Sequence, residues 1–309
     1  VEWVAEIRTA RDVTGKPSWF RRLFRAVAGL DDRVPVMLQP HGVWVDGTGR
    51  ILVADTKLRV VHWFDPARNT YRMLAAPAKD PLVAPIGIGA DAEGRVYVTD
   101  AVRARVFVFS REGKFVRTLG ALGRDESIFH RPTGLAVDAT RGRLYVVDTV
   151  AMRIVVLSLE GNVLARWGQR GTGPGEFNYP THIAVGPDGS LWVADSLNFR
   201  VQHLNAAGRF LGEFGRLGSG PAEFDKIKGI AATADGHLLV VEARNDRVMV
   251  FSAGGQLRFV FGGTGAGAGQ FVLPAGIAVS PSGEIYVADS FNRRIQIFRL
   301  RERPTDGAE

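Results

Sequence analysis

Residues 180–215, PTHIAVGPDGSLWVADSLNFRVQHLNAAGRFLGEFG, decide the fold. Val, Ile, Leu and aromatic residues cluster at 183–186, 190–194, 201–205 and 209–214, which predicts four short strands. Pro187-Asp188-Gly189 and Ala206-Ala207-Gly208 punctuate them as tight turns, where Gly supplies backbone angles that other residues resist. Between the second and third strands lies Asp195-x-x-x-x-Arg200. Such a unit is a small antiparallel sheet that cannot bury both faces alone, so it needs copies of itself as neighbours.

The copies are present. Asp195 recurs as Asp55, Asp100, Asp148, Glu242 and Asp289, and Arg200 as Arg59, Arg105, Arg153, Arg247 and Arg294. The turn residue Gly189 recurs as Gly49, Gly94, Gly142, Gly236 and Gly283. Pro180 recurs as Pro40, Pro85, Pro132 and Pro274, with Ile227 standing in once. Steps of roughly 45–48 residues, each of four strands, are the signature of propeller blades. The fold class is therefore all-β, a six-bladed β-propeller of four-stranded antiparallel blades.

The sixth unit supplies only three strands before the chain turns into the polar tail RERPTDGAE. An unpaired outer edge is an aggregation hazard, so VEWVAEIR at the start is expected to add the missing strand and close the ring. This gives one domain: residues 1–10 as closing strand, 11–39 as an insertion, 40–300 as six repeats and 301–309 as tail.

The insertion breaks the repeat. PSWFRRLFRAVAGLDD is predicted helical, with Ser18 as cap, Gly29 near its end and an apolar stripe of Trp19, Phe20, Leu23, Phe24 and Val27. Arg21, Arg22 and Arg25 lie off that stripe. The expected arrangement docks the stripe on the propeller; the alternative is a basic amphipathic helix contacting a partner or an anionic membrane surface through residues 16–30.

The crossings GQRGTGPGEF, GRLGSGPAEF and GGTGAGAGQF are rich in glycine but lack the Gly-Lys-Ser/Thr of a nucleotide loop. Each ends in a phenylalanine (Phe177, Phe224, Phe271), and Phe129 matches them one crossing earlier, so aromatic plugs are expected.

With no cysteine, the chain has neither a disulfide framework nor thiol chemistry. No apolar run approaches the roughly 20 residues of a membrane-spanning helix. The chain starts at Val1, so a removed signal or lipid anchor with export to the periplasm stands beside a cytoplasmic reading. Its net charge of +7 suits an acidic partner, although scattered surface charge and the repeated arginines also account for it.

The pattern Pro-x-Gly-Ile-Ala-Val, Asp/Ser-Gly-x-Ile/Leu-Tyr/Trp-Val-Ala-Asp, Ser-x-Asn-x-Arg-Val/Ile, clearest at 180–201 and 274–295, resembles the NHL-repeat family of β-propellers. Blades one and two depart most, since Asp55-Thr-Lys-Leu-Arg59 and Asp100-Ala-Val-Arg-Ala-Arg105 lack the Asn. The resemblance implies protein-binding, RNA-binding, sensor or occasionally enzymatic roles, so the fold leaves function to the site.

The acid–Arg pairs obey the repeat, and an ion pair bracing the loop of every blade is expected. A functional site belongs at the channel mouth, where the inner strands begin. The residues there are His41-Gly42, Ile86-Gly87, Thr133-Gly134, Thr181-His182, Lys228-Gly229 and Ala275-Gly276. None is acidic, which argues against the calcium-dependent lactonase type of propeller. His41 and His182 are weak candidates for a divalent metal, two imidazoles where zinc usually takes three or more protein ligands.

The reading is a non-catalytic, monomeric scaffold, without cofactor, that binds a protein or peptide partner through the loop face or channel mouth. The binding candidates are His41, Thr133, Thr181, His182 and Lys228 in the mouth, with Arg103, Arg244 and Arg293 on the rim. A metal-dependent lyase or hydrolase at the mouth is the alternative. RNA on a basic loop face, drawing also on Arg105, Arg247 and Arg294, is the second.

Overall fold

The structure, a computed structural model, describes residues 1–14, 36–120 and 127–300. These form six four-stranded antiparallel sheets, each running in sequence order from the channel outward, except the sixth. Blade four shows the plan, with strands Pro180–Val185, Leu191–Asp195, Arg200–Leu204 and Phe210–Phe214. In blade six the first strand of the chain, Glu2–Ile7, lies outermost and pairs antiparallel with Arg294–Arg299. The ring is thus closed by joining the two ends of the chain. Trp3 Nε1 donates to Gln296 Oε1 at 3.0 Å across this seam, and Arg294 Nη1 to Glu6 Oε2 at 2.6 Å.

Each blade is apolar on both faces of its middle strands, and the core is six clusters, one at each blade-to-blade contact. Between blades four and five, Trp192, Ala194 and Val201 meet Val240, Met249 and Phe251. Between blades six and one, Tyr286, Ala288 and Ile295 meet Val43, Val53 and Phe64, with Ile7 of the closing strand among them. The four plugs are buried, and each fills the space over a left-handed glycine. A Cβ on Gly168 or Gly215 would come within 2.4 Å of Phe177 or Phe224, which fixes Gly there.

Of the insertion, one helical turn is described, Arg11–Thr14, with the Arg8 and Thr9 amides donating to Asp12 Oδ2. The helix expected over 16–30, with Arg21, Arg22 and Arg25, lies outside the described residues, as does the tail. No described helix is long and apolar enough to cross a membrane.

Candidate functional site

The loop after each second strand is organised around its acid, which is fully buried in all six blades. In blade four Asp195 accepts the Asn178 amide (2.7 Å), Asn198 Nδ2 (2.8 Å), Arg200 Nε (2.9 Å) and Gln202 Nε2 (3.0 Å). Asp289 repeats this with Val272, Asn292, Arg294 and Gln296. The acid is therefore first a collector of backbone and side-chain donors, and the arginine is one of them.

The expectation of an ion pair in every blade needs correction. The pair is close in blades three, four and six (3.2, 2.9 and 2.7 Å) and loose in blade five, where Glu242 leaves Arg247 at 3.8 Å. In blade two Arg105 pairs with Asp80 at 3.0 Å. In blade one Arg59 is exposed, Val60 takes the strand position opposite Asp55, and His62 Nε2 approaches the carboxylate at 3.4 Å.

In the channel mouth, hydroxyls stitch one blade to the next. Thr133 Oγ1 donates to the Thr181 carbonyl (3.0 Å), Thr149 to that of Pro180 (2.7 Å), Ser196 to that of Ile227 (2.8 Å) and Ser290 to that of Pro40 (2.5 Å). Thr181 Oγ1 is engaged with Ser196 Oγ at 2.7 Å. Thr133 and Thr181 thus hold the ring together, and their hydroxyls are already committed. Five glycines line the same level because neighbouring backbone abuts them: a Cβ on Gly42 would lie 2.1 Å from the Ile86 carbonyl oxygen, and one on Gly276 2.2 Å from that of His41. Blade four alone places a side chain, His182, at this glycine position.

That substitution brings His182 into the same electrostatic neighbourhood as His41 and Lys228. Burial, then the charges of Lys228 and His182, push His41 down to about 3. Burial pushes His182 down to about 4, with the Ile183 backbone opposing it, and Nδ1 of the ring is buried without a hydrogen-bond partner of normal geometry. Lys228 is lowered by burial and by the like charges of Lys226 and Arg131. Among the described residues no group of three or more His, Cys, Asp and Glu side chains converges as a metal site.

The depressed histidines set a pH dependence. Unfolded histidines take up protons near pH 6.5, whereas His41 and His182 in the fold do so only near 3 and 4. Their contribution is whole above pH 6.5 and is lost as pH falls toward those values. Discounting for water in the channel, stability is expected to drop by about 1–3 kcal/mol between pH 7.5 and pH 5. His203, also lowered by burial, adds in the same direction. Urea midpoints at the two pH values should show a shallower drop for the His41→Ala/His182→Gly variant; an identical drop would remove the channel histidines as its cause.

The rim is less basic than the sequence suggests. Arg294 is buried, and the partly buried Arg247 donates to the carbonyls of Gly220 and Glu223, so both present little charge to solvent. Arg103 lies 3.5 Å from Asp80, Arg244 reaches toward Asp225 at 3.6 Å, and Arg293 is exposed.

The sequence reading missed an apolar ring. The residue two past the loop acid is Val102 (66% exposed), Val150 (44%), Leu197 (48%) and Phe291 (58%) in blades two, three, four and six. Lys57 and Arg244 hold this place in blades one and five. Beside Phe291, a cleft of about 270 Å³ is lined by Leu38, Gln39, Lys57, Ser290 and Arg293. Reading the repeat column by column would have exposed the ring, since a solvent-facing loop residue has no packing reason to stay apolar.

Comparison with known proteins agrees with this architecture. A family model described as a 6-bladed beta-propeller matches residues 79–162, and the NHL-repeat model matches 177–204 and 271–298. No curated protein matches the chain. Among solved structures, virginiamycin B lyase from Staphylococcus aureus superposes with a TM-score of 0.60 at 16% identity, over 86% of each chain. A Bacteroides thetaiotaomicron protein of unknown function gives 0.64 at 18% identity, over 84% of this chain and 69% of its own. A chain of the nidogen/laminin complex gives 0.59 at 17% identity, over 74% and 83%. At these identities the likeness is one of fold.

Proposed function

For a six-bladed propeller carrying NHL repeats, we propose a non-catalytic scaffold whose loop face binds an acidic, partly apolar peptide segment of a partner protein. The observation that carries this is the ring of Val102, Val150, Leu197 and Phe291, exposed at one repeat position around the channel mouth. Exposed apolar groups gathered on one face favour an interaction surface, and a large aromatic beside a cleft is a common anchor. Charge supports the acidic character, because Lys57 and Arg244 interrupt the apolar ring and the exposed Arg293 stands beside Phe291. Nucleic acid fits less well, because Arg294 is buried and Arg247 is partly buried and bonded to the Gly220 and Glu223 carbonyls.

Selection of a displayed library of random peptides of about a dozen residues tests the reading. The enriched peptides are expected to combine carboxylates with large apolar residues. Their affinity should fall about tenfold or more on Phe291→Asp or Leu197→Asp, with the fold unchanged. Binders indifferent to both substitutions, or an RNA pool retained in preference to peptides, would overturn it.

A further inference from the structure

We propose that the channel mouth is an anion-binding site in which Lys228, His41 and His182 together hold one carboxylate or phosphate group, entering past Arg131 and Lys226. It goes beyond the loop-face reading and uses none of the ring residues.

Lys228 is the one Lys, Arg, Asp or Glu among the twelve residues that open the inner strands. Its ammonium sits within the mouth and, among the described residues, makes no hydrogen bond or ion pair. A lysine enclosed beside two further cations is costly unless something offsets the charge. Other charges drawn into this fold have partners: Arg200 meets Asp195 and Glu213, and Arg294 meets Asp289 and Glu6. The absence of a counter-charge at Lys228 is thus a local departure from the molecule's own practice.

The second observation is independent of charge. His182 breaks the glycine column, and its buried Nδ1 has no hydrogen-bond partner of normal geometry, the ring's backbone interaction being with Ile183. His41 stands close enough for the two rings and Lys228 to influence one another. Burial keeps both imidazoles uncharged near neutral pH, so each can donate one N–H while Lys228 supplies the charge. None of the twelve residues that open the inner strands is a carboxylate, so nothing there repels an anion. Arg131 and Lys226, exposed immediately before the inner strands of blades three and five, form a cationic entrance that concentrates anions.

Titration with inorganic phosphate and with succinate, at ionic strength held constant with chloride, tests the site. The ring signals of His41 and His182 are followed by NMR, together with the melting temperature. Either anion is expected to shift both rings and raise the melt of the wild-type chain. Lys228→Met should weaken that response about tenfold, and Lys114→Met, on an outer turn, should not. Without added anion, Lys228→Met should melt no lower than wild type, which also shows that it folds.

An acidic peptide that competes with phosphate would show that the group can arrive on a partner; one that does not compete would show a free small anion as ligand. Shifts absent at millimolar anion, reproduced by chloride alone, or undiminished in Lys228→Met would overturn the site. Phe291→Asp should leave phosphate binding intact, so failure of the loop-face reading and failure of this one remain distinct.

Discussion

Removal of residues 1–8 is expected to lower the melting temperature by about 5–10 °C, or to drive aggregation on warming. The strand Glu2–Ile7 is the outer edge of blade six, and its loss strips the hydrogen-bonding edge of Arg294–Arg299. Ile7 leaves the core between blades six and one, and Arg294, itself buried, loses Glu6. Burial of one aliphatic side chain, a broken charge pair and a lost ladder sum to about 5 kcal/mol, and a domain of this size melts about 1–2 °C lower per kcal/mol. The exposed edge is also a template for pairing with another chain. Adding the peptide VEWVAEIR in trans should recover part of the loss. A truncated chain that stays monomeric and melts within about 2 °C of the parent would show that the seam contributes little.

That seam was legible because strand counting left blade six one short and residues 1–8 spare. The glycine turns were legible too: Gly49, Gly94, Gly142, Gly189, Gly236 and Gly283 all adopt positive φ, from 62° to 86°. What stayed hidden came from single residues that break a column. In blade one the acid and the next arginine, Asp55 and Arg59, are one residue closer than elsewhere, and Arg59 looked like the arginine of the repeat. The loop, however, requires a left-handed residue just before that strand, as Ala104, Met152, Phe199, Asp246 and Arg293 are in the other blades. Arg59, at φ 61°, fills that place, and Val60 stands where the other blades have their arginine. His62 then stands where Gln202 and Gln296 stand and approaches the acid instead.

The candidate site was legible as a list of residues but not as an arrangement. Both Thr133 and Thr181 occupy the mouth, yet their hydroxyls donate across blades to the Thr181 and Ile227 carbonyls, and no single repeat contains its neighbour. The meaning of His182 depended on a steric fact, that adjacent backbones leave no room for a Cβ at five of six equivalent positions. Sequence shows the glycine column but not what presses on it.

The same contrast between blades yields the second large effect. Asp195→Ala is expected to cost about 3–5 kcal/mol, because it leaves the enclosed Arg200 with only the half-exposed Glu213 as counter-charge and the Asn178 amide, Asn198 and Gln202 without their acceptor. Arg200 cannot swing away, since its guanidinium is also bonded to the carbonyls of Thr172, Gly173 and Glu176. Asp55→Ala removes an equally buried acid, but the partners left behind are backbone amides of Leu38, Gln39, Lys57 and Leu58 and the His62 ring rather than a guanidinium. Its cost is expected to be about 1–3 kcal/mol. Urea midpoints of the two variants measure the difference. Equal losses would mean that the acid acts in every blade as a backbone cap and that the charge on Arg200 adds nothing; a larger loss at Asp195 assigns the excess to the buried pair.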